Sequence, residues 1–197
     1  MLKVAITGNI AAGKSTVEGL LKDKGYKVLD TDDISHNLLK DDQAKQAIIA
    51  TFSDLDILEN GEISRAKLGK IIFVNEEYRK ILESILHPLI REEINKHFNL
   101  HEKSEKIVFV SVPLLFEANF EPLFDKTVLI YADDEIRIKR LIARNNLNEE
   151  MARNRLGLQM SQDKKKPIVG YIIFNNGTLE DLACQVTDLE RNLIPKI

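Results

Sequence analysis

Residues 7–16 read TGNIAAGKST. The stretch fits G-x-x-x-x-G-K-[ST], with Gly8, Gly13, Lys14 and Ser15 at the fixed positions, and it lies between an apolar run, KVAIT at 3–7, and a helical pattern that begins at Lys14. A strand that turns through glycine into a helix is what a triphosphate cradle requires, because backbone N–H groups and the positive end of the helix then face phosphate oxygens. The spacing predicts that N–H groups of residues 9–16, those of Asn9, Ala11, Ala12 and Thr16 among them, ring the β-phosphate. Lys14 is expected to reach the β- and γ-phosphates of ATP, and the Ser15 hydroxyl to ligate Mg²⁺. A plain glycine turn is the other reading, and the strand-to-helix context argues against it.

Outward from that loop, short β-branched runs alternate with longer helical patterns. The runs are KVAIT (3–7), YKVLD (26–30), KIVFVSV (106–112), KTVLIY (126–131) and GYIIF (170–174). Near-continuous apolar strands of this kind are buried on both faces of a parallel sheet, so the fold class is α/β with about five parallel strands. The helix from Lys14 to Lys24, with Val17, Leu20 and Leu21 on one face and Gly25 as its stop, completes a βαβ unit. Between the second and third strands the pattern is of amphipathic helices near 41–52, 64–74, 76–86 and 88–99, with Pro88 in the first turn of the last, which amounts to a helical insertion. After the fourth strand come helices over 133–146 and 147–159, the second with Asn148 as N-cap. The polar stretch SQDKKKPIVG (161–170) is expected to be a mobile connection, and a helix from Thr178 to Leu193, ending at Pro195, closes the chain. The resulting division is a single chain with a core of 1–32, 105–132 and 169–197, an insertion over 33–104 and a lid region over 133–168.

A chain of 197 residues suits one well-buried α/β core with an insertion. Its net charge of −3 offers no global positive field for nucleic acid or anionic membrane, so phosphate binding must be local. The single cysteine, Cys184, falls in a helical pattern and is expected to be buried filler in a reducing compartment. The start MLKVAITG leaves no room for a cleavable signal, and the apolar stretch 107–116 is broken by Ser111 and Pro113 well short of membrane-spanning length. A cytoplasmic protein with no nucleic-acid, membrane or obligate protein partner is the expectation.

Four further stretches carry candidate chemistry. In VLDTDD (28–33) the second strand ends and delivers Asp30, Asp32 and Asp33 to the carboxyl edge of the sheet, where ligands of open α/β sheets bind. A hydroxyl acceptor needs a carboxylate to orient it and take its proton, a role open to Asp32 or Asp30, while a neighbouring acid caps the helix that starts near Ile34. Arg137, Lys139, Arg140, Arg144, Arg153 and Arg155 form a basic series in which Arg140 and Arg144 share a helix face, suited to a migrating phosphoryl group or else to a solvated face paired with acids. HPLIR (87–91) sets His87 and Arg91 in the insertion, and FNNGT (174–178) makes a tight turn at the sheet edge whose backbone could meet a purine base. Two missing motifs argue against a GTP-binding switch: no glycine has an aspartate three residues before it, and the only Asn-Lys pair continues as His97-Phe98.

Taken together, TGNIAAGKST, LDTDDISH, LHPLIR, VPLLFE (112–117), IKRLIARN with LGLQM (156–160), and NNGT resemble the dephospho-coenzyme A kinases, over residues 2 to about 190. HPLIR with VPLLFE is the particular part of the resemblance. It implies a three-layer P-loop NTPase fold with a helical substrate-binding insertion and a lid. It also implies ATP- and Mg²⁺-dependent phosphorylation of the ribose 3′-hydroxyl of dephospho-CoA to CoA and ADP, the last step of coenzyme A biosynthesis. Asp32 matches the family's base and Arg140 its phosphate-contacting arginine, with Lys14 the third catalytic group. Arg144 lies in the same lid helix, His87 and Arg91 match the acceptor side, and Asn175 to Gly177 match the adenine-side loop. The chain departs from the family at Asn9, Ala11 and Ala12, in a loop often richer in glycine, and in VGYIIFNN (169–176), at Gly170 and Phe174, where an Ala-Asp pair and an aspartate before the asparagines are common.

Overall fold

Val4, Ala5 and Ile6 are fully buried, so the first strand has no solvent face and can only be the centre of a sheet. A computed structural model describes residues 1–193 and bears this out. Strand β1 (Leu2–Thr7) leads through the loop to helix α1 (Lys14–Asp23) and strand β2 (Lys27–Asp30). Then come α2 (Thr31–Leu38), α3 (Asp42–Thr51), a hairpin of β3 (Leu58–Glu59) and β4 (Glu62–Ile63), α4 (Arg65–Val74) and α5 (Glu76–His101). The chain returns to β5 (Ile107–Ser111), a 3-10 turn at Glu121–Leu123, β6 (Lys126–Tyr131), α6 (Asp134–Asn145), α7 (Glu149–Leu156), α8 (Gln162–Lys165), a 3-10 turn at Lys166–Ile168, β7 (Tyr171–Phe174) and α9 (Leu179–Leu193).

The five main strands are those expected from the sequence, all parallel, in the order β2-β5-β1-β6-β7. Ile6 is in register with Ser111 on one side and Val128 on the other. The residues fall into two compact units: residues 1–30 with those from Phe98 onward, and Thr31–His97. In the first, Val4, Ile6, Phe109, Val128, Ile130 and Ile173 of the sheet join Val17 and Leu21 of α1 and Leu182, Val186 and Leu189 of α9 in one core. Tyr26 seals its edge, packing edge-on against Phe109 at 5.3 Å and donating its hydroxyl to Glu190 at 2.7 Å. Burial, followed by that bond, pushes the Tyr26 pKa up to about 12. In the second unit Ile48, Phe52, Ile57, Ile63, Leu68 and Leu82 make a separate core.

Several local expectations need correction. Helices over 76–86 and 88–99 are one helix, α5, with Pro88 inside it. The proline removes one backbone donor and crowds the preceding turn, and the continuous apolar face on either side (Leu82, Ile90, Ile94 and Phe98, all buried) holds the helix together. Asn75 opens it, its Oδ1 accepting from the N–H of Glu77 and of Tyr78. Helix α2 starts at Thr31, not near Ile34, and α7 ends at Leu156. Segment 161–170 is ordered, because Gln162 and Lys165 of α8 are buried polar anchors. Cys184 is exposed, not filler: Leu182, Val186 and Leu189 supply the buried stripe of α9 and leave position 184 outside it. Asn148 caps α7 as read, accepting from Met151 N–H at 2.8 Å. Pro195 lies outside the described residues.

Phe109 is 1% exposed at the centre of the sheet core. Phe109→Ala is expected to destabilise the protein by about 3–5 kcal/mol, read as a lowered urea midpoint with near-native circular dichroism at zero denaturant.

Candidate active site

The loop between β1 and α1 owes its shape to two left-handed residues, Ala11 at φ 62° and Gly13 at φ 98°. Gly13 is also crowded. A β-carbon there would fall on the side-chain amide of Asn175, which donates from Nδ2 to Ala12 O at 2.8 Å. Gly8 faces a similar approach, since a β-carbon would come within 3.0 Å of Ile130 O. The two fixed glycines therefore answer to contacts with β6 and with the turn after β7, not to the loop alone.

Not every amide of the loop is available to a phosphate. Ile10 N–H donates to Gln159 Oε1 at 2.8 Å, Ala12 N–H to Asn9 O at 3.0 Å, and Thr16 N–H to Gly13 O at 3.1 Å. Gly13, Lys14 and Ser15 lie at the start of α1, where helix geometry leaves N–H groups without a carbonyl four residues back. Asn9 is buried and donates from Nδ2 to Met160 O at 2.7 Å. Gln159 and Met160 thus tie the segment after α7 to the loop. That segment is anchored in turn by Glu117, which accepts from Met160 N–H at 3.1 Å and lies 2.9 Å from Nζ of the fully buried Lys165, a close ion pair off the line of a good hydrogen bond.

The basic series of α6 and α7 divides by environment. Arg137 is buried, donating to Ile10 O at 3.0 Å and to Asp134 Oδ1 at 2.8 Å; burial pushes its pKa down, opposed by Asp134. Arg153 is paired with Glu135 and Glu149, as in the solvated-face reading, and exposed Arg144 bonds to Asn145 Oδ1 at 3.0 Å. Arg140 bonds to Asn175 and not to an acid. Its Nη2 donates to Asn175 O at 3.0 Å, and its Nη1, like Nη2 of Arg137, is buried with no hydrogen-bond partner among the described residues. Gly13, Thr16, Arg140, Asn175 and Gly177, picked out separately in the sequence, line one cavity of about 250 Å³ with Leu179 and Leu182. An unsatisfied guanidinium nitrogen beside the N-terminus of a helix is a receptor for an anion.

The remaining candidates lie in the helical unit. Asp32, in the first turn of α2, lines a cavity of about 310 Å³ with Ser35, His36, Arg65, Leu68 and Leu86. His87 and Arg91 are four apart on α5. Burial pushes the His87 pKa below its ordinary value, with Arg91 adding to the shift and Glu83 opposing it.

For a metal, the described residues contain no group of three or more His, Cys, Asp or Glu so placed that it could hold an ion. Ser15 offers an exposed hydroxyl at the start of α1, and Mg²⁺ is commonly held by one or two protein oxygens with the rest from phosphate and water. The donor set therefore fits a cation that arrives with a nucleotide.

Sequence reasoning passed over Glu18, Ser111, Gln159 and Lys165. Lys14 Nζ lies 3.2 Å from Glu18 Oε1 and donates to Ser111 Oγ at 2.6 Å. The available signal was the placement of Glu18 next to Val17, on the apolar side of α1.

A parallel sheet with this glycine-Lys-Ser loop at the end of its central strand, and an arginine turned onto the loop, defines a P-loop kinase. Among solved structures, one from Thermus thermophilus matches with a TM-score of 0.84 at 31% identity over 98% of both chains. A dephospho-CoA kinase from Campylobacter jejuni matches with a TM-score of 0.73 at 32% identity, over 97% of this chain and 96% of its own. A shikimate kinase from Acinetobacter baumannii, at 19% identity and a TM-score of 0.54, shares the fold alone. The family model described as dephospho-CoA kinase matches residues 2–181. Dephospho-CoA kinases of Enterococcus faecalis and Helicobacter pylori (strain 26695) are each 39% identical, over 94% and 97% of both chains respectively. The chain belongs to the dephospho-CoA kinase family.

Two outcomes follow from the geometry. Gly13→Ala must relieve both a left-handed backbone and the clash with Asn175, so it is expected to cost about 2 kcal/mol or more in urea unfolding and to weaken ATP binding in calorimetric titration. For His87, the folded pKa lies below the unfolded value near 6.5, so the unfolded chain takes up the proton first. The stabilising term is whole above that value and is lost as pH falls through the lowered one. The urea midpoint should drop as pH falls below about 6.5, and drop less in His87→Gln.

Proposed function

We propose that this chain transfers the γ-phosphoryl group of ATP to the ribose 3′-hydroxyl of dephospho-CoA, giving CoA and ADP, the last step of coenzyme A biosynthesis. The observation that carries the reading is the family match over residues 2–181 with every fixed position of the phosphate loop intact.

ATP docks on Gly8 to Thr16, with Asn9, Ala11, Ala12 and Gly13 forming the loop and Lys14 meeting the β- and γ-phosphates. The cavity beside Gly13 takes the nucleoside side, where Asn175 and Gly177 border the base; the link from Asn175 to Ala12 supports this assignment. Arg140 presents its unpartnered nitrogen to the phosphates, and Arg144 adds charge from the same helix. Mg²⁺, bound with the triphosphate through Ser15, would neutralise charge on the β- and γ-oxygens. Asp32 orients the acceptor hydroxyl and takes its proton, and His87 and Arg91 contact the acceptor. Residues 33–104 serve the acceptor, and the lid over 133–168 closes to keep water from the phosphoryl group. An enzyme with one exposed free thiol suits a reducing, cytoplasmic setting. No described helix is long and apolar enough to cross a membrane.

The test is ADP release with ATP and Mg²⁺ and, in turn, dephospho-CoA, adenosine, AMP or no acceptor. Turnover with dephospho-CoA alone is expected. Asp32→Asn should lower kcat about 100-fold or more while leaving ATP binding in place, and Lys14→Ala should damage both. Turnover with AMP in place of dephospho-CoA would overturn the acceptor, and near-normal turnover of Asp32→Asn would remove that residue from the chemistry.

A further inference from the structure

Glu18 sits one helical turn beyond Lys14, and although charged it is only 5% exposed. A carboxylate withdrawn from water is costly unless it is paired and hydrogen-bonded, and here it is both. Its Oε1 accepts from Ser111 Oγ at 2.6 Å and lies 3.2 Å from Lys14 Nζ; Lys14 Nζ also donates to Ser111 Oγ at 2.6 Å. The three groups close a triangle. Ser111 is itself fully buried and ends β5, in register with Ile6, two residues before the loop begins.

P-loop NTPases bring an acid to this neighbourhood, beside the loop lysine and the phosphates. In this chain the strand alongside β1 ends in a hydroxyl, and the acid reaches the same point from α1. We infer that Glu18, acting through Ser111 and the ion pair, is a positioning residue for Lys14, doing from the helix what a carboxylate at the end of the strand would do. The inference rests on the role given to Lys14 under the proposed function.

An ammonium group has three protons. One is directed to Ser111 and one to Glu18, which leaves the third for a phosphate oxygen. The charge is therefore aimed before the nucleotide arrives and need not be reoriented as the transition state forms. The same carboxylate offsets part of the lysine's attraction for a ground-state anion. This combination has a kinetic signature: loss of Glu18 should lower turnover far more than it weakens ATP binding, a split that a merely structural residue would not produce.

The experiment compares Glu18→Ala, Glu18→Gln, Ser111→Asp with Glu18→Ala, and Lys14→Ala alone and with Glu18→Ala, using kcat with the acceptor found in the ADP-release screen and calorimetric titration of ATP with Mg²⁺. A different acceptor in that screen changes the proposed function and leaves this test intact. Glu18→Ala is expected to lose about 10- to 100-fold in kcat, with ATP affinity held within about threefold. Glu18→Gln, which keeps the shape and one acceptor oxygen, should fall between and carries the test if the alanine variant does not fold. Returning a carboxylate to the strand end with Ser111→Asp should restore most of the rate, and Glu18→Ala should cost nothing further once Lys14 is alanine. Unchanged kcat in folded Glu18→Gln and Glu18→Ala overturns the inference. So does a loss that higher Mg²⁺ abolishes, since the carboxylate would then act on the metal and not on Lys14.

Discussion

The chain has to leave a fully buried central strand at Thr7 and enter a helix at Lys14, with left-handed backbone at Ala11 and Gly13 making the turn. Much of the first unit is organised by that passage. β5 and β6 flank β1 and fix where the loop emerges; Ile130 leaves no room for a side chain at residue 8, and Asn175 leaves none at residue 13. The glycines of the motif are therefore set by tertiary neighbours as much as by the phosphate they serve, which is why this loop tolerates alanine at 11 and 12 and not at the fixed positions.

The loop is also tied to the far part of the sequence. Gln159 takes the Ile10 amide, Met160 takes the Asn9 side chain, and Arg137 takes the Ile10 carbonyl. These bonds tie the loop between β1 and α1 to helix α6 and to the segment after α7. Glu117 and the buried Lys165 then fix that segment to the chain leaving β5. Two residues of a polar stretch, the amide Gln162 and the charged Lys165, are among the most buried polar groups of the described residues.

What was legible in the sequence was whatever repeats or stands alone. Apolar runs announce a parallel sheet because both faces are covered, and a cap such as Asn148 is a local contest between side chain and backbone. The loop and the turn after β7, which Asn175 joins by donating to Ala12 O, could be placed on one sheet edge from chain order alone. What failed depended on distant partners. Pro88 marks a helix start by local rules, yet the apolar face around it continues through the proline. The β3–β4 hairpin was missed although Asn60 and Gly61, both left-handed, are the usual signal for a two-residue turn. Cys184 was assigned to the core from its helical pattern, yet at about 100° per residue it falls on the side of α9 opposite Leu182, Val186 and Leu189. Glu18 was passed over because its partner Ser111 lies far along the chain, although its place beside Val17 on α1 was a local signal.

The strand order has a consequence for the life of the polypeptide on the ribosome. β1 is made first, but its hydrogen-bonding partners are β5 and β6, which begin at Ile107 and Lys126. Until they emerge, Val4, Ala5 and Ile6 have neither strand neighbours nor a covered face. The helices from Thr31 onward, with a core of their own, can form in the interval from contacts close in sequence. Synthesis from the N-terminus therefore delivers an unpaired sheet centre early and its lateral strands late, a period in which the nascent chain is most open to chaperones and to mispairing.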